Sequence, residues 1–125
     1  MAQKASLAII LTLDYELPQN RYPDVRCYML EPTLALLEAC KAWGAPLTIM
    51  VEMGELWAWE KPENEGFRRS IGYDAASAVR DQLVSAVKSG HDVQLHLHPQ
   101  WLKARWKDGT WQLDYSKYRL PLLAE

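Results

Sequence analysis

The chain is poor in cysteine, has no marked excess of charge of either sign and contains no long apolar run. Its 2 cysteines, Cys27 and Cys40, form neither a CxxC pair nor a disulfide framework. A disulfide-dense scaffold is therefore not indicated, and a single bridge between the two stays open. Free thiols in a reducing compartment are the expectation, and with them a cytoplasmic location. Lys and Arg number 14 against 16 Asp and Glu, a net charge of −2, so no basic footprint marks the chain for nucleic acid or a membrane surface. Its longest apolar run, Leu7 to Leu13, is broken by Thr12 and ends in Asp14 and Glu16 rather than a small-residue cleavage site. It is far short of the roughly 20 residues of a membrane span and reads as a mature first strand. GxGxxG, Walker A, GxSxG and HExxH are all missing, which leaves nucleotide-binding, serine-hydrolase and zincin chemistry without a motif.

What is there suffices for one domain: 125 residues, 49% of them hydrophobic. The run from Ala5 to Leu13 has the composition of a strand buried on both faces, as in a parallel sheet under helices. Pro18, Asn20, Pro23 and Asp24 make Leu17 to Tyr28 a loop. Pro32 opens a helix that Gly44 stops, and Pro46 to Met53 is a second strand. A short helical piece around Leu56 to Trp59 and a polar excursion to Gly72 follow. Asp74 caps the next helix, whose apolar face holds Val79, Leu83 and Ala86 and which ends before Gly90. Val93 to Leu97 is the third strand. The order strand, helix, strand, helix, strand predicts an α/β fold with parallel strands and crossover helices. Asp108 and Gly109, between Trp106 and Trp111, mark a hairpin turn; the tryptophans are either its cross-strand packing partners or a platform for sugar rings.

Side chains two residues apart on a strand point to one face. His96 and His98 end the third strand with that spacing, and Asp14 and Glu16 end the first with it. Strand histidines of this kind are either hydrogen-bonded in a core, exposed at an edge, or a metal pincer; the paired acids on the other strand favour one shared site. Imidazoles with carboxylates suit Zn²⁺ or a similar divalent ion, with a free carboxylate as general base. Glu52, alone at the end of the second strand, reads as a solvated glutamate or a third acid of that site.

LTLDYE, PLTIMVEMGEL and GHDVQLHLHPQW together resemble the polysaccharide deacetylase (NodB-homology) superfamily, from about Ile9 to Leu120. The resemblance implies a (β/α) barrel, of which residues 1–125 would be the N-terminal part, with a divalent metal, zinc or else cobalt or nickel, and hydrolysis of N-acetyl groups on carbohydrate. Asp14 matches the family's catalytic base, Glu16 stands near its metal-ligating acid, and His96 matches the first histidine of its HxxxH motif. The chain departs from the pattern in having Asp-Tyr-Glu for an adjacent acid pair and Gln100 at the second histidine, leaving His98 or Gln100 to complete the ligands. Glu16, His96 and His98 are thus the expected metal ligands, and Gln100, Trp101 and Glu52 the expected substrate contacts. An N-acylated carbohydrate or small molecule is the expected partner, and an incomplete barrel favours self-association. The rival readings are an amidohydrolase-type metal enzyme, whose His-x-His normally sits on the first strand, and a non-catalytic carbohydrate-binding or inactive fragment.

Overall fold

The computed structural model describes residues 7–18 and 24–120. Strands β1 (Leu11–Tyr15), β2 (Leu47–Glu52) and β3 (Asp92–His96) pair in parallel in the order β1-β2-β3. Helix α1 (Glu31–Ala42) joins the first two. Helices α2 (Met53–Glu60), α3 (Glu65–Ile71) and α4 (Ala75–Lys88) lie between the second and third. A short hairpin, β4 (Arg105–Lys107) and β5 (Thr110–Gln112), follows.

The sheet is open, which corrects the expected partial barrel. With 3 strands, both β1 and β3 are edges, whereas closure takes about eight strands tilted around an axis. The fold is a small mixed α/β domain. A second correction concerns β1, which is not buried on both faces. Tyr15, Leu47, Ile49 and Val51 alternate into the core, while Thr12, Asp14 and Gln94 on the opposite face are exposed. An apolar run reports that a strand has apolar neighbours but not how many layers cover it.

Local signals account for most element ends. Asp74 accepts the Ser77 N–H and caps α4, and Glu52 does the same for α2 through Gly54. Gly44, at φ +60°, follows α1 in the left-handed conformation that a side chain resists. Asp108 and Gly109 both have positive φ, 52° and 77°, as a two-residue turn of the primed type requires. The loop expected from Leu17 to Tyr28 is partly helical: residues 19–23 lie outside the described residues, but Arg26–Leu30 forms a π-helical turn leading into α1.

The tryptophans of the hairpin region belong to the core. Trp101 and Trp111 are 2% and 7% exposed, and Phe67 is ringed by Trp59, Trp106 and Trp111 with centroids 5.0–5.5 Å apart. Such edge-on and tilted contacts are favourable for aromatic quadrupoles. They fill the space that a sugar platform would have to leave open, so the packing reading replaces it. Cys27 is exposed and Cys40 buried, and both are free thiols. Among the described residues no helix is long and apolar enough to cross a membrane.

Candidate metal centre

The site lies where the ends of all three sheet strands meet. Pairing sets Glu52 beside His96, and Tyr15 beside Val51, so Glu16 leaves β1 level with Glu52. Parity along the strands gives Glu16, Glu52 and His96 the same face. His98, past the last paired residue of β3, heads the 3₁₀ turn Pro99–Lys103. Each of Glu16, Glu52, His96 and His98 offers one donor atom, and these atoms lie within 4.8 Å of one another.

Within the cluster, His98 Nδ1 is 2.9 Å from Glu16 Oε2 and 3.1 Å from Glu52 Oε2, and His96 Nε2 is 3.8 Å from Glu16 Oε2. These are ion-pair distances when an imidazole is protonated, and none of them is a hydrogen bond. Glu16 Oε2, His96 Nε2 and His98 Nδ1 are all buried atoms without a hydrogen-bond partner among the described residues. Buried polar atoms are seldom left in that state, and three such atoms converging on one point are able to serve a cation as donors. The imidazole rings stand edge to face, 4.5 Å apart at 84°. The side chains of Glu16, His96 and His98 keep 24–31% exposure, although the donor atoms themselves are buried. The cluster is capable of coordinating a metal ion and is consistent with metal-dependent catalysis in general.

Glu52 differs from its neighbours. It is 0% exposed, which corrects the reading of a solvated glutamate. Its Oε1 accepts the Gly54 N–H at 2.8 Å and its Oε2 the His98 N–H at 2.5 Å. Burial raises its pKa, and these two amides and the nearby histidines pull the other way. Glu52 therefore belongs to the ligand cluster and also holds the backbone of His98. The junction is tight: a Cβ on Gly54 would come within 2.8 Å of Glu52 Oε1 and 2.9 Å of Trp101 Cβ.

Asp14 does not join the four donors. It sits one row below them on the same face, beside Met50, and is exposed. Together with Glu16 it lines a cleft of about 140 Å³ whose other walls include Leu13, Met29 and Leu36. Gln100 is buried, with Oε1 lacking a partner among the described residues. Trp101 packs edge-on against Trp111 and turns no face outward for substrate.

Sequence reasoning missed Glu55. It is 1% exposed, its Oε2 accepts the Leu17 N–H at 3.0 Å, and its Oε1 has no partner among the described residues. Burial first, and then the charges of Glu16 and Glu52, hold its carboxyl well above the usual range. The signal was a glutamate three positions after Glu52 inside the apolar stretch MGELWAW.

Comparison with protein-family models, with curated proteins and with solved structures gives no match for the chain. The likeness to deacetylases thus rests on its motifs alone.

Proposed function

We propose that the protein is a metal-dependent hydrolase acting on the C–N bond of an N-acylated substrate. The observation that carries the reading is the convergence of Glu16 Oε2, His96 Nε2 and His98 Nδ1, three buried donor atoms with no hydrogen-bond partner among the described residues.

Glu16, His96 and His98 hold the ion, and Glu52 orients His98 while lending a fourth oxygen. A divalent ion such as zinc supplies Lewis-acid chemistry there, polarising a carbonyl and easing the deprotonation of water. Asp14, on the same face and outside the donor set, takes the proton of the attacking water. It returns that proton to the departing amine nitrogen, so that a carboxylic acid and an amine leave. Resemblance of LTLDYE and HLHPQW to deacetylase motifs supports an amide rather than an ester bond.

The test compares wild type with His96→Ala and Asp14→Asn in zinc titration calorimetry and in hydrolysis of a panel of N-acetylated amines. His96→Ala is expected to weaken zinc binding about 100-fold or more. Asp14→Asn should keep the affinity within about threefold and lose about 100-fold or more in turnover. Equal loss of zinc in both variants would overturn the assigned roles, and a wild-type chain that takes up no divalent ion would overturn the centre.

A further inference from the structure

We infer that Glu55 is a positioning residue of the metal centre: by accepting the Leu17 N–H it fixes the end of β1 from which Glu16 reaches the two histidines. The inference rests on the reading of the cluster as a metal site.

Glu16 needs such a hold. The ladder between β1 and β2 ends at Tyr15 and Val51, so Glu16 stands one residue beyond the last pair that fixes its backbone. The next residue, Leu17, is 4% exposed and gives its N–H to Glu55 across 38 positions of sequence. Nothing local to α2 calls for a carboxylate at position 55. The helix is already capped by Glu52, and Leu56, Ala58 and Trp59 around it are buried hydrophobics. A buried carboxyl with one hydrogen bond costs stability relative to an apolar side chain of the same size.

The two glutamates of this turn act on opposite neighbours. Glu52 holds the N–H of His98 beyond β3, and Glu55 holds the N–H of Leu17 beyond β1. One turn after the central strand thereby sets the separation between the acid and the imidazoles on either side of it. Outer groups that orient ligands in this way are worth roughly 10–100-fold in metal affinity.

The test is zinc titration calorimetry on wild type, Glu55→Gln and Glu55→Met, with thermal melts of each. Glutamine keeps an acceptor for the Leu17 N–H and should bind zinc within about threefold of wild type. Methionine fills similar space without an acceptor and should bind about 10–100-fold more weakly. A folded Glu55→Met protein with wild-type affinity overturns the inference, as does equal loss in both variants. Should Glu55→Met not fold, amide exchange of the Leu17 N–H in the wild-type chain decides. Protection of that amide in wild type and Glu55→Gln supports the role, and free exchange in wild type overturns it. A wild-type chain that binds no zinc overturns this inference together with the metal reading, whereas loss of the Gln/Met contrast in a zinc-binding chain overturns this inference alone.

Discussion

At the scale of single residues, the site is governed by how carboxylates in similar sequence settings come to differ. Glu52 is fully enclosed but receives two backbone N–H groups, whereas Glu55 is equally enclosed and receives one. The proton balance of Glu55 gives a pH signature in the metal-free protein. Its folded-state pKa lies above that of the unfolded chain, about 4.3 for a free glutamate, so the folded state binds more protons and stability falls as pH rises from that value. Glu55→Gln removes this loss. The melting temperature of Glu55→Gln minus that of wild type should therefore be constant below about pH 4 and grow as pH rises above it. A difference that stays flat as pH rises would show that Glu55 carries no excess proton in the fold.

At the scale of elements, the hairpin and the helices are joined by one buried amide. Asn64, 0% exposed, donates to the carbonyls of Ala58 and Ala104 at 2.8 and 3.1 Å and accepts the Trp106 N–H at 3.0 Å. It thus pins α2 to β4. Asn64→Ala would strand buried backbone groups on both, each worth about 1–3 kcal/mol, and is expected to destabilise the protein by about 3 kcal/mol in urea unfolding. A loss below about 0.5 kcal/mol would mean that water replaces the amide. Elements with local punctuation were legible in the sequence: Asp74 and Gly90 bracket α4, Asp108 and Gly109 make the hairpin, and the i, i+2 spacing placed His96 and Glu16 on converging faces. Legibility failed where the cause is tertiary. Asn64 and Glu55 look like surface residues in KPENEG and MGELW, and only partners about 40 positions away explain their burial. The turn at Arg26–Leu30 was hidden by the prolines and the aspartate before it.

At the scale of the whole molecule, the resemblance pointed to a barrel and the strand count gave an open sheet. Motifs report strand ends, where the chemistry sits, but not how many strands separate them. Both edges carry apolar side chains: Leu7, Ile9 and Ile10 ahead of β1 are 88%, 79% and 78% exposed, and Leu95 on β3 is 67% exposed. Uncovered edges of this kind favour pairing with another chain. We expect sedimentation velocity to show association rising with concentration, and Leu95→Lys to shift its midpoint upward about tenfold through the charge it places on the edge. A wild-type chain that remains monomeric at several hundred micromolar would count against this.

The parallel sheet has its own history written into its order. Strand order and chain order coincide, so during synthesis each strand meets a partner already made, and no strand must be threaded between two others. The donors, spread from Glu16 to His98, come together only when the last of the three strands docks. An ion that needs all of them adds its binding free energy to the finished sheet and none to a half-built one. Capture of the ion would then act as a latch on assembly, closing after β3 and resisting the peeling of either outer strand.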